Sequence, residues 1–142
     1  MKSLKNNIIS IYTDGGSRGN PGPAAISFII YDPSNKKLEQ KSEYIGNNTN
    51  NYAEYLAILK ALINVKKYNP DGVNVYTDSN LAYNQINGFW KIKDEKLRDI
   101  ILKIKKEISG LKNFKIFYIP REKNKEADNL VNIELNLNTP NN

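Results

Sequence analysis

Two aspartates stand where apolar runs stop: Asp14 follows Ile11-Tyr12-Thr13 and precedes Gly15-Gly16, and Asp78 follows Val75-Tyr76-Thr77. In open α/β sheets ligand sites gather at the carboxyl ends of strands, so both positions are candidates for chemistry. Each also has a plain structural use, an Asp-Gly turn for Asp14 and a helix N-cap for Asp78. Glu54 shares one face of a helical wheel with Ile58, Ala61 and Val65, while Lys60, Asn64 and Lys67 fall opposite. Its carboxylate is therefore expected to point at the sheet rather than at water. The competing use is as a capping-box acid reaching back to Asn51. Asp128, near the start of the last helical segment, is by itself a solvated first-turn acid favoured by the helix dipole. The four acids gain meaning together. Like charges ~4 Å apart repel by about 4 kcal/mol at an effective dielectric of ~20, so a fold that gathers Asp14, Glu54, Asp78 and Asp128 needs cations to hold them there.

Composition narrows which cations. The sequence contains no histidine and no cysteine, which excludes imidazole bases, Cys-His zinc sites and disulfide scaffolds. Hard carboxylate oxygens without imidazole select Mg²⁺ or Mn²⁺. Two such ions ~4 Å apart suit water activation and leaving-oxygen stabilisation in an in-line phosphoryl displacement. The expected cofactor is thus Mg²⁺, with Mn²⁺ as the alternative, two ions per site with substrate bound.

The elements that must position these acids are legible in the hydrophobic period. A chain of 142 residues is expected to form one domain, 1–142, with its core at about 7–135 and a frayed asparagine-rich tail at 136–142. Ile8 to Thr13, Ala25 to Tyr31 and Lys37 to Ile45 read as consecutive strands of an antiparallel meander, and Gly15 to Pro23 is the longest loop-like stretch. Tyr55, Ile58, Leu59, Leu62 and Ile63 then recur at helical spacing up to about Lys67. Val73 to Thr77 reads as a strand, Ser79 to Asn87 as a short helix and Asp94 to Ser109 as a longer one. Phe114 to Ile119 reads as a strand and Lys123 to about Leu135 as a helix. Alternating helix and strand favours parallel pairing through right-handed crossovers. The fold class is α/β, with a mixed five-stranded sheet, three antiparallel strands and then two parallel ones, flanked by helices.

Charge points to a polyanion. Lys and Arg number 21 against 15 Asp and Glu, a formal net charge of +6, with a pI near 9.4. The arginines are Arg18, Arg98 and Arg121 alone, so lysine contacts to a nucleic-acid backbone fit better than base readout by guanidinium forks. The apolar stretch Ile8 to Tyr12 is too short for a signal-peptide core or a membrane span. A cytoplasmic monomer without membrane contact is expected.

At the acidic positions the sequence resembles ribonuclease H of type 1, which cuts the RNA strand of RNA–DNA hybrids. The resemblance covers about residues 7 to 135. It rests on Tyr12-Thr13-Asp14-Gly15-Gly16-Ser17 with Asn20-Pro21-Gly22-Pro23-Ala24, on Thr49-Asn50-Asn51-Tyr52-Ala53-Glu54, on Tyr76-Thr77-Asp78-Ser79 and on Asn124-Lys125-Glu126-Ala127-Asp128. It implies that Asp14, Glu54, Asp78 and Asp128 are the catalytic, metal-binding set. It further implies that Gly15, Gly16, Ser17 and Asn20, with Asn50 and Asn51, face the minor groove of the hybrid, that Thr49 meets a DNA-strand phosphate, and that Asn80 meets the RNA side. Trp90, Lys91 and Lys93 would hold the DNA strand. The chain departs from the family pattern in two places: it lacks a long basic handle after Lys93, and it lacks the loop histidine before the last aspartate, where Arg121 or Glu122 is the expected replacement. The implied activity is endonucleolytic hydrolysis leaving 5′-phosphate and 3′-hydroxyl ends, on RNA–DNA hybrid, with double-stranded RNA as a further candidate partner. The alternative is a hybrid- or duplex-RNA-binding module of the same fold with weak catalysis.

Overall fold

A computed structural model describes residues 7–139. Its sheet has the order β3-β2-β1-β4-β5, from β1 (Ile8–Ser17), β2 (Gly22–Tyr31), β3 (Lys37–Asn48), β4 (Gly72–Thr77) and β5 (Phe114–Tyr118). β1 to β3 pair antiparallel, and β4 and β5 add in parallel beside β1. The helices are α1 (Asn50–Val65), α2 (Asn80–Ile86), α3 (Glu95–Ser109) and α4 (Lys125–Asn138), with single 3₁₀ turns at Lys66–Tyr68 and Arg121–Lys123. The mixed sheet and its parallel half are as expected. The first three strands run further than their apolar cores, because backbone pairing continues through residues that carry no hydrophobic signal. Asp14 pairs with Ser27 and Gly16 with Ala25, so the loop read at Gly15 to Pro23 contracts to residues 18–21. Residues 136–138, read as part of a frayed tail, continue α4, while 140–142 lie outside the described residues.

One face of the sheet carries the main core. Ile9 and Ile11, Phe28 and Ile30, and Val73 and Val75 pack under α1, with Ala82 and Ile86 of α2 and Leu97, Ile101 and Ile104 of α3. α1 is amphipathic only weakly because it is nearly encased: Ala53, Tyr55, Ala57, Ile58, Ala61, Leu62 and Val65 are all buried. The other face is covered at one end by α4, whose Val131 and Leu135 sit on Ala25 and whose Ala127 carbonyl accepts the Ser27 hydroxyl at 2.7 Å. Beyond α4 an aromatic row crosses the sheet. Tyr12 stacks on Tyr76 at 4.7 Å between ring centroids, Tyr76 stacks on Phe117 at 5.2 Å, and Tyr31 meets Tyr12 edge-on at 5.7 Å.

That row explains where the acids lie. β1 contains Tyr12-Thr13-Asp14, β4 ends on Tyr76-Thr77 with Asp78 next in the chain, and the parallel register sets Tyr12 beside Tyr76. Two residues further on, period-two alternation returns Asp14 to the tyrosine face, and Asp78, just past the end of β4, brings its carboxylate near it. The buried threonines Thr13 and Thr77 turn the other way.

Candidate active site

Each acid is delivered by a different element. Asp14 lies inside β1, at the point where its parallel pairing with β4 stops after Tyr12 and Tyr76 while its antiparallel pairing with β2 continues. The strand end that matters for it is therefore that of β4. Asp78 follows β4 directly and is not a helix cap: Ser79 caps α2, its hydroxyl accepting the Ala82 N–H at 3.1 Å. Glu54 is not a capping-box acid either. Thr49 caps α1, accepting from the Tyr52 N–H at 3.1 Å, which puts Glu54 beyond the first turn and leaves its carboxylate to accept the Gly15 N–H at 3.1 Å. Gly15 makes that approach possible. A Cβ there would lie 2.3 Å from the Ala53 carbonyl oxygen, so its lack of a side chain serves the packing of α1 on β1 rather than a turn.

Carboxylate oxygens of Asp14, Glu54 and Asp78 lie within 4.8 Å of one another. Asp128, in the first turn of α4 and half-buried, stands outside that trio but lines the same cleft as Asp14 and Glu54, and its charge acts on Asp14. Burial first, then the charges of Asp78 and Asp128, push the Asp14 carboxyl up to about 8. Burial, then Asp14 and Asp78, push Glu54 well above the ordinary carboxylate range, opposed by the Gly15 N–H and the Arg121 guanidinium. A crowded all-oxygen donor set whose members repel is suited to a hard divalent cation, and Mg²⁺ or Mn²⁺ fits it.

A cleft of about 170 Å³ opens on Asp14, Glu54 and Asp128, lined also by Gly16, Ser17, Asn50 and Arg121. Asn50 knits its rim: its Oδ1 accepts the Ser17 N–H at 3.2 Å, and its own N–H donates to Asn20 Oδ1 at 3.0 Å. Gly16, unlike Gly15, has room around it, with Asn50 Oδ1 at 3.5 Å the nearest neighbour to a built Cβ. Asn51 is exposed on the first turn of α1, and Asn80, exposed at the start of α2, accepts from the Asn84 amide at 2.9 Å. Arg121 belongs to the short turn before α4, and Glu122 beside it is exposed and is not among the residues lining the cleft. Trp90 is 46% exposed, not core, and Lys91 and Lys93 are exposed beside it.

Two side chains to which the sequence assigned no role support this arrangement. Buried Gln85 accepts from the Tyr55 hydroxyl and donates to the Lys91 carbonyl at 2.9 Å, holding the Trp90–Lys91 segment on α1. Asn124 is 1% exposed and donates to Asp78 Oδ2 at 3.1 Å and to the Thr13 carbonyl at 2.8 Å. The signal for Gln85 was a polar residue on the apolar face of α2. Asn124 was visible only as part of the motif that ends at Asp128.

The segment that is similar to known proteins contains all four acids. Residues 12–133 match the family model described as reverse transcriptase-like. Ribonuclease HI of Halobacterium salinarum is 34% identical over 124 residues, covering 87% of this chain and 62% of that protein. A bifunctional protein of Mycobacterium tuberculosis is 33% identical over 125 residues, 87% of this chain and 34% of its own length. The chain therefore spans under two thirds of the first and about one third of the second. The crystal structure of LC11-RNase H1 in complex with an RNA/DNA hybrid superposes with a TM-score of 0.86 at 40% identity, covering 92% of this chain and 98% of that one.

Proposed function

The chain belongs to the reverse transcriptase-like family and carries the ribonuclease H fold, and from that premise we propose that it is a divalent-metal-dependent endonuclease that hydrolyses the RNA strand of RNA–DNA hybrids. The observation that carries this reading is the meeting of Asp14, Glu54 and Asp78 within 4.8 Å, with the charge of Asp128 acting on Asp14. Asp14, Glu54 and Asp78, with Asp128 beside them in the cleft, would hold the two ions. When bound, Mg²⁺ or Mn²⁺ would supply Lewis acidity toward water and the scissile phosphate, and its positive charge would offset the carboxylates' mutual repulsion.

The remaining roles fall to the chain's own groups. Gly16 and Ser17, with Asn20 and Asn50, present the rim of the cleft to the minor groove of an A-like hybrid, where 2′-hydroxyls mark the RNA strand. Asn51, exposed on the first turn of α1, would face the same minor groove, Thr49 would meet a DNA-strand phosphate, and Asn80 would meet the RNA. Gly15 contributes its N–H to Glu54 and otherwise serves packing. Exposed Trp90, Lys91 and Lys93 would hold the DNA backbone without reading sequence. Arg121 brings a fixed positive charge to the cleft beside Glu54, where it would balance charge on the attacked phosphate in a site that has no histidine.

The test is incubation with labelled RNA–DNA hybrid, RNA duplex and DNA duplex in Mg²⁺, Mn²⁺ or EDTA. Cleavage of the hybrid's RNA strand should require a divalent ion, leave 5′-phosphate ends and fall by about 10²–10⁴-fold in Asp14→Asn, the several kcal/mol expected for loss of metal-assisted stabilisation. Metal-independent cutting, or full activity in Asp14→Asn, removes the mechanism. Protection of the hybrid without cleavage identifies a binding module instead.

A further inference from the structure

We propose that Asn124 is a positioning residue for the acidic cluster, its side-chain amide setting where Asp78 presents its carboxylate; this rests on the metal-site reading above. Asn124 occupies the N-cap position of α4, where asparagine ordinarily accepts a backbone N–H of the first turn. It makes no such cap here. Its amide is turned the opposite way, Nδ2 donating to the Thr13 carbonyl at 2.8 Å and to Asp78 Oδ2 at 3.1 Å. Both of those partners are acceptors, which fixes the orientation: the amide nitrogen must face them. The consequence is a buried Oδ1 with no hydrogen-bond partner among the described residues. A foregone cap and an unpaired buried acceptor are both unfavourable, so stability of α4 alone does not account for asparagine at this position.

What the geometry gains is a tie between the segments that carry the site. Thr13 immediately precedes Asp14, and the Asn124 carbonyl accepts the Asp128 N–H at 3.1 Å while its N–H donates to the Arg121 carbonyl at 2.9 Å. One buried residue thus links the middle of β1 and the residue that follows β4 with the first turn of α4 and the turn that bears Arg121. An aspartate in its place would set a further carboxylate beside Asp78. An alanine would leave both acceptors unpaired and Asp78 free to rotate. Partners that orient metal-binding groups change metal affinity by about 10–100-fold when removed.

The experiment is calorimetric titration of Mn²⁺ into the full chain and into Asn124→Ala and Asn124→Leu, the second of which keeps the buried volume while removing the donor. Each variant that unfolds cooperatively should bind Mn²⁺ about 10–100-fold more weakly. The rate at saturating hybrid should fall with KM unchanged, since a side chain buried behind Asp78 does not touch substrate. In the parent, the Asn124 side-chain amide resonances should shift in step with Mg²⁺ occupancy, a readout that needs no variant. A Kd within twofold of the parent, a change confined to KM, or amide resonances indifferent to Mg²⁺ overturns the positioning role while leaving the metal site standing. A parent chain that takes up no Mn²⁺ removes both.

Discussion

Asp14 and Glu54 are buried among other carboxylates, so in the metal-free protein this corner is limited by charge rather than by packing. An aspartate titrates near ~3.9 when unfolded, whereas Asp14 in the folded chain is pushed up to about 8. Between those values the native state holds a proton that the unfolded state has released, so stability falls as pH rises. The loss begins near pH ~4 and is complete above about 8. In EDTA the Tm should therefore drop between about pH 5 and pH 8. Asp14→Asn should flatten that profile and lie several degrees above the parent at the alkaline end. Saturating Mg²⁺ should raise the parent's Tm more than the variant's, since only the parent has the repulsion to relieve. Thermal unfolding across that pH range checks this, and a parent Tm in EDTA that climbs with pH contradicts it.

At the scale of elements, the start of α1 does two jobs that one substitution separates. Thr49 closes the helix by accepting the Tyr52 N–H at 3.1 Å, and the proposed function places a DNA-strand phosphate against the same residue. Thr49→Ala removes both, costing about 1 kcal/mol of stability as a lost cap. Thr49→Asp keeps an acceptor at the cap and a favourable charge at a helix N-terminus but repels phosphate. Its Tm should stay within a few degrees of the parent while KM for the hybrid rises severalfold. A KM equal to the parent's would leave Thr49 a cap and nothing more. The same end of α1 depends on Gly15, whose missing side chain lets Ala53 and Glu54 close on β1.

At the scale of the molecule, an acidic cluster sits within a chain of net charge +6. That combination suits a polyanion whose backbone is attracted broadly while its scissile phosphate is brought to the cations. Hybrid affinity, measured with Ca²⁺ in place of Mg²⁺ to suppress turnover, should fall linearly in log–log form with salt, as counterion release requires. Lys91→Ala and Lys93→Ala should each reduce that slope by roughly 1 while leaving Tm unchanged, because both lysines are exposed. A slope identical to the parent's would remove those lysines from the interface. Among the described residues no helix is long and apolar enough to cross a membrane.

The amino-acid sequence determined the elements and their kinds. Hydrophobic period marked five strands and four helices, and the helical wheel of α1 turned Glu54 inward without any knowledge of the fold. It also determined the chemistry open to the site, since a chain without histidine or cysteine has only oxygen ligands to offer a metal. Strand ends were less legible, because β1 continues through Asp14-Gly15-Gly16 on pairing with β2 and not on apolar side chains. Tertiary structure alone decided which residues meet. The parallel register that sets Tyr12 beside Tyr76 brings two Tyr-Thr-Asp segments into line. Gly15 proved to be a packing glycine, Ser79 and Thr49 took the caps, and Asn124 gave up its own cap to bridge Thr13 and Asp78. The physical reason is common to all of these: local propensity acts over a few residues, whereas Asn124 and Thr13 are 111 positions apart, and only closure of the sheet and the docking of α4 put them in hydrogen-bonding range.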